Sequence, residues 1–265
     1  MEKPRPSNLA RIIACPASLR LCAGVKDEPS SYANEGTAAH TLGERCARAG
    51  TIPAEHYGET ITVEGADFPV DNDMAVAVTH YVMAMRGIAR KAEHVWFERR
   101  ITMPFLDNSG TADFVAVNYT EGWIEMIDYK NGSGVYVSEK NNAQFFAYAL
   151  GAVMDESIWP RHLPDPEKIT VTCAQPRFED AYPVRSQHVT VEGLEWWRKE
   201  RLEPALAKGT DPSAAVSAGD HCRFCPARRA KICPAGQRVK FQRPKVSSKP
   251  VAPITATPIP DNLTF

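Results

Sequence analysis

The sequence of 265 residues contains no run of 18 apolar residues, which excludes a membrane-spanning helix of ordinary length. The first 24 residues lack the continuous apolar stretch of a secretory signal, because Pro4, Pro6, Arg11 and Arg20 break it. No internal repeat is visible. There is no shortage of core-forming residues, at 43% hydrophobic and 24% charged, so a wholly disordered or fibrous chain is excluded too. An even set of cysteines is also missing. Seven of them (Cys15, Cys22, Cys46, Cys173, Cys222, Cys225, Cys233) argue against a disulfide framework and for a reducing, cytoplasmic setting.

What is present is unevenly distributed. The net charge of −1 hides a block at residues 221–249 with nine basic residues and no acid, against 22 basic and 32 acidic residues elsewhere. Arg223, Arg228, Arg229 and Lys231 open this block, and its natural partner is a polyanion such as the DNA backbone. Three of the cysteines lie in the same block as C-x2-C-x7-C (Cys222, Cys225, Cys233), a spacing that in a reducing compartment points to a metal. Cys46 and Cys173 fall on expected core faces and read as buried thiols. Beyond Gln237 the chain carries five prolines and few large apolar groups. Residues 237–265 therefore read as a disordered, Pro-rich basic tail after a domain at 1–236, and the tip at 261–265 as a segment able to dock on a partner.

Periodicity predicts helices over residues 35–49, 72–92, 138–154 (capped by Ser138) and 191–208, the last kinked at Pro204. Strands are expected at 94–101, 111–117, 123–129, 168–174 and 184–191. This order predicts an α/β fold with a mixed central sheet flanked by helices. Within it, Asp113 sits on the second strand, and Asp128 and Lys130 share one face at the end of the third. If these strands pair, two carboxylates meet and form a hard oxygen site suited to Mg²⁺ or Mn²⁺, with an ammonium beside it to orient a water or stabilise an oxyanion.

The string Gly110-Thr111-Ala112-Asp113, followed after fourteen residues by Asp128-Tyr129-Lys130, resembles the core of the PD-(D/E)XK nucleases. Gln144 and Tyr148, four apart on a predicted helix, match the Q-x-x-x-Y element of the RecB-like branch, and Gly36 and His40 match its G-x-x-x-H element. The resemblance covers about residues 7–235, with Ala112 where the written pattern has proline. It implies a restriction-endonuclease-like fold, with His40, Asp113, Asp128 and the Tyr129 carbonyl as ligands of Mg²⁺ or Mn²⁺. It also implies Lys130 as the catalytic lysine and Gln144 and Tyr148 in support. Glu98 matches a commonly acidic position, as an outer-layer group or a ligand of a second metal, or else forms a salt bridge to a neighbouring arginine.

The cysteine triad, with Cys15-Pro16 as the upstream member, is similar to that of iron–sulfur nucleases of the AddB and CRISPR-adaptation types. That implies a structural [4Fe–4S] cluster on Cys15, Cys222, Cys225 and Cys233 joining the two chain ends, with Zn²⁺ as the alternative metal and Cys22 as a substitute fourth ligand. The function implied is a metal-dependent DNA nuclease of exonuclease type, encoded by a phage of bacteria and acting in recombination, replication or repair. A recombination or single-strand-binding protein would be its partner through the tail. A DNA-binding or assembly module that kept the fold without catalysis is the alternative.

Overall fold

The computed structural model describes residues 1–26 and 31–241. The basic residues Arg243, Lys245 and Lys249, the tail prolines and the tip at 261–265 lie outside the described residues. The chain opens with two short helices, α1 (Leu9–Ala14) and α2 (Ser18–Leu21), followed by α3 (Ser31–Ala49). A small hairpin of β1 (Thr60–Val63) and β2 (Ala66–Pro69) turns through Glu64 and Gly65, both at positive φ, as a two-residue hairpin turn requires. Then come α4 (Asn72–Ala89), β3 (His94–Met103), β4 (Asn108–Asn118), β5 (Trp123–Tyr129), α5 (Ala143–Met154), β6 (Lys168–Ala174) and β7 (Val184–Val189). The helical remainder is α6 (Val191–Trp197), α7 (Glu203–Gly209), α8 (Pro226–Arg229) and α9 (Pro234–Gln237).

Strands β3 to β7 form one five-stranded sheet in chain order. Every neighbouring pair is antiparallel except β5 and β6, which run parallel because α5 carries the chain back between them. This is the expected α/β architecture. One face of the sheet (Val115, Val117, Ile124, Met126, Ile169, Val171) packs against α1, α5 and the helices after β7. The other (Phe114, Ala116, Ile127, Tyr129, Ala174) packs against α3, α4 and the hairpin. Each fully buried Ile, Leu or Phe in these layers contributes roughly 1.5–3 kcal/mol, so the two cores hold the sheet from both sides. Cys46 and Cys173 are buried in them as free thiols. Among the described residues, no helix is long and apolar enough to cross a membrane.

Two expected helices need correction. The helix placed at 138–154 begins only at Ala143, because Asn142 and not Ser138 is its cap: the Asn142 carboxamide oxygen accepts from the amides of Gln144 and Phe145. Asn141, just before it, sits at φ 51°, which no continuing helix allows. The helix placed at 191–208 is interrupted by a π turn at Arg198–Leu202. Pro204 lies in the first turn of α7, where its missing N–H does no harm, and the distortion falls on the turn before it. The short helices α1 and α2 and the β1–β2 hairpin are not apparent from periodicity, since each is too short to show a period.

Candidate metal centre and thiol cluster

The register of β4 on β5 pairs Phe114 with Ile127, so Asp113 and Asp128 follow as the next opposed positions. The backbone opens there. Instead of a ladder bond, the Asp113 carboxylate accepts from the Tyr129 amide (Oδ2, 2.7 Å). Across from Asp113 on the other side lies Glu98 of β3, between the pairs Phe97–Phe114 and Arg99–Ala112. Glu98 has φ 49°, an uncommon left-handed backbone for a residue with a side chain.

Both strands change faces at this point. Val95 and Phe97 belong to the α3/α4 core while Ile101 and Met103 belong to the α5 core, and on β4 Phe114 and Ala112 divide the same way. A period of two would keep all odd or all even residues of a strand on one face. The left-handed step at Glu98 breaks that period and brings the two carboxylates to the same opening. His40, from α3, completes the group: its Nδ1 is 3.5 Å from Asp113 Oδ2 and 4.0 Å from Glu98 Oε1. Ligand atoms of His40, Glu98 and Asp113 all lie within 4.8 Å of one another. No arginine pairs with Glu98 among the described residues, so its expected alternative as half of a salt bridge is not what the structure presents.

Asp128 stands beside this group and is engaged on both oxygens. Gln144 Nε2 donates to Oδ1 (2.9 Å), and Lys130 Nζ lies 2.6 Å from Oδ2. Lys130 thus holds Oδ2 as a close ion pair. Lys130 in turn donates to Gln144 Oε1 (3.3 Å), which closes a triangle of Asp128, Lys130 and Gln144. Tyr148, one turn along α5 from Gln144, packs against Gly110, where an added Cβ would come within 2.9 Å of the Tyr148 ring and hydroxyl. Gly110 is therefore a small residue required by a close approach.

The electrostatics are those of an anionic site short of a cation. Burial, and then the neighbouring Asp128 charge, push the Asp113 carboxyl up to about 8. Burial and Asp113 push Glu98 up to about 7. Burial holds the His40 imidazole below its ordinary value despite the carboxylates around it, so its ring is neutral and offers a lone pair at neutral pH. Burial acts to lower the Lys130 ammonium, but Asp128 and Asp113 outweigh it and the pKa is raised. His40 is fixed from behind by aromatic rings, Tyr129 at 5.1 Å and Tyr81 at 6.4 Å, both edge-on. Tyr81 is a supporting residue that motif spacing does not single out. The signal for Glu98 is in the sequence, as the one acidic residue of the strand His94 to Ile101.

A hard divalent cation fits this donor set: the carboxylates of Glu98, Asp113 and Asp128 and one neutral imidazole. Of the expected ligands, His40 and Asp113 are in the group, Asp128 adjoins it from the lysine side, and Glu98 is closer to the first two than its expected outer position implies. The Tyr129 backbone lies against it through its amide, which donates to Asp113 Oδ2.

Five buried thiols from the two chain ends come together in two groups. Cys22, Cys225 and Cys233 share one small core, with Cys22 Sγ 3.7 Å from Cys225 Sγ. Cys15 and Cys222 meet around Ser217, whose amide donates to Cys15 (3.4 Å) and whose carbonyl lies 3.9 Å from Cys222. Among the thiols expected as ligands, Cys15 is thus matched by Cys22, which the structure places nearer to Cys225. The buried Arg11 guanidinium donates to Cys22 Sγ (3.1 Å). Either sulfur of the Cys22–Cys225 pair can be the donor; sharing one proton beside the Arg11 guanidinium draws one thiol of the pair below its ordinary value. The four thiols expected as ligands are thus divided between the two groups, Cys225 and Cys233 in one and Cys15 and Cys222 in the other, and among the described residues no three thiols lie within 4.8 Å of one another. Nearby, Arg223 and Arg228 stack on Phe241 (4.7 Å each), whereas Arg229 and Lys231 are exposed.

A family model described as "Protein of unknown function (DUF2800)" matches residues 5–260, a span that includes the sheet, the carboxylate group and the cysteines of both ends.

Proposed function

We propose that this chain, which belongs to the DUF2800 family, is a divalent-metal-dependent nuclease of the PD-(D/E)XK type that hydrolyses DNA phosphodiester bonds, acting from strand ends. The observation that carries the reading is the convergence of His40, Glu98 and Asp113 within 4.8 Å, with the Asp128–Lys130 pair beside them. When bound, Mg²⁺ or Mn²⁺ would lower the pKa of a water and neutralise charge on the scissile phosphate. His40, Glu98, Asp113 and Asp128 would hold it. The Tyr129 amide aims Asp113, Gln144 aims Asp128, and Tyr148 supports Gln144 from the next turn of α5. Lys130, kept charged by the aspartates, supplies an ammonium within reach of the phosphate, where it stabilises the developing negative charge and orients the attacking water.

The fold is read as restriction-endonuclease-like: mixed sheet, α5 crossing behind it, and the acids at the opening between strands. The thiols are read as an accessory site holding a [4Fe–4S] cluster, with Zn²⁺ as the alternative, that ties the N-terminal helices to α8 and α9. It takes no part in hydrolysis. The exposed Arg229 and Lys231 would contact the DNA backbone, and Arg223 and Arg228, spent partly on Phe241, would add to the field there. Setting and partners follow as proposals too: a cytoplasmic enzyme of phage or bacterial recombination, replication or repair.

The test is incubation of purified protein with end-labelled linear DNA in Mn²⁺. Loss of label that Lys130→Ala abolishes, with circular dichroism unchanged, supports the reading. Full activity in that variant, or none in the wild type at any divalent cation concentration, overturns it.

A further inference from the structure

The sheet edge at β7 borders a groove of about 1010 Å³ that the catalytic reading does not use. It runs between β7, the start of α5 and the helices after β7. Two neighbouring tryptophans divide their work there. Trp197 is buried, its ring edge-on to Phe146 at 5.7 Å, and it anchors α6 to α5. Trp196 is 60% exposed and lines the groove. An indole left in water beside an anchored one is a platform without its partner.

The helix shape brings a charge to this platform. In an unbroken α-helix, residues five apart point about 140° away from each other. The π turn at Arg198–Leu202 widens the helix, and Trp196 and Arg201 both face the groove. Lys140 and Lys168 line it as well, and all three cations are exposed and form no ion pair among the described residues. One carboxylate, Glu167, lines it against them. Amide groups complete the wall: Gln187 Oε1 accepts from the Asn141 amide (2.7 Å), which leaves both side-chain amides at the rim. The same rim leads to the acids, because Asn142 lines the groove and caps α5 beside Gln144, which holds Asp128.

We infer that this groove is the track for a single strand of nucleic acid, with a base stacked on Trp196 and phosphates on Arg201, Lys140 and Lys168. Stacking needs an unpaired base, which a duplex does not offer. The inference rests on the nuclease reading for the strand's destination but not for its binding.

The experiment is fluorescence anisotropy of a labelled oligothymidylate with the full chain, without added divalent cation, across a salt series. Trp196→Ala should weaken binding by about tenfold or more, and Trp196→Phe should keep most of the affinity. The double variant Lys168→Ala/Arg201→Ala should make the salt slope shallower by about 1.4, the share of two phosphates on a single strand. Wild-type tryptophan emission should fall on binding, and Trp196→Phe should lose most of that quench. Equal affinity, quench and salt slope in the Trp196 and Lys168/Arg201 variants would overturn the inference, as would a duplex bound as tightly and without dependence on Trp196. DNA cleavage that persists with Trp196-independent binding removes the track and keeps the nuclease. Trp196-dependent binding without any cleavage removes the nuclease and keeps the track.

Discussion

Divalent cation should stabilise this protein in proportion to pH, and the crowded carboxyls set the size of the effect. Asp113 is pushed up to about 8 by burial and Asp128, and its side chain is only 14% exposed. One decade of proton affinity is worth about 1.4 kcal/mol, so keeping Asp113 ionised in the metal-free fold costs on the order of 5 kcal/mol. Glu98 is pushed up to about 7, but its side chain is 40% exposed and solvent screening leaves it under about 1 kcal/mol. Both folded values lie above the unfolded ones. Their contribution is therefore fully present below an ordinary carboxylate pKa and is lost as pH rises through about 7 and about 8.

In melts from about pH 5 to about pH 9, the metal-free midpoint should fall on the order of 10 °C from this source, taking about 2–4 °C per kcal/mol for a chain of this size. With Mn²⁺ or Mg²⁺ the fall should be largely removed. The apparent metal affinity should also rise, up to about tenfold per pH unit, while Asp113 still binds a proton that the metal must displace. Asp113→Asn should flatten both dependences. A metal-induced shift equal at every pH, or none at all, would refute the reasoning.

The supporting residues make further predictions. Gly110→Ala places a methyl within 2.9 Å of Tyr148, so nuclease activity in Mn²⁺ should fall at least about tenfold by displacement of Gln144 while the circular dichroism spectrum is retained. Asn142→Ala removes the α5 cap and should cost about 1 kcal/mol in chemical denaturation, together with some activity, since the cap adjoins Gln144. Glu98→Gln removes a charge conflict with Asp113, so the metal-free protein should melt slightly higher and the Mn²⁺-induced rise should shrink. Cys225→Ser should abolish the visible absorption of anaerobically purified protein if iron and sulfide are held, or its zinc content otherwise, with a lower melting temperature in either case. A metal content and melting temperature unchanged by Cys225→Ser would remove the thiol site.

The sheet was legible because its strands are short runs rich in β-branched and aromatic residues: Trp123–Tyr129 matches the observed strand from end to end, as does Lys168–Ala174, and both are buried almost throughout. The opposition of Asp113 and Asp128 follows from strand pairing alone. The role of Glu98 was legible only in part, because it depends on a left-handed backbone step that residue type argues against and that tertiary contacts impose. The start of α5 was misplaced because Ser138 and Asn142 are both good caps, and the choice between them rests on Asn141 and on its bond to Gln187 across the groove. The preference of Cys225 for Cys22 could not be read from spacing, since Cys15 and Cys22 are both buried and differ in which small core they join.

The pairing of Cys22 with Cys225, 203 positions apart, also has a meaning for synthesis. While a ribosome makes the chain, α1 and α2 emerge first and their thiols must wait for nearly the entire polypeptide before a match exists. The sheet and its acids can assemble earlier, within the span from α3 to β7. An interrupted translation product would thus carry its carboxylates on a molecule whose two ends are still open, with the N-terminal thiols lacking their partners until the final turns arrive.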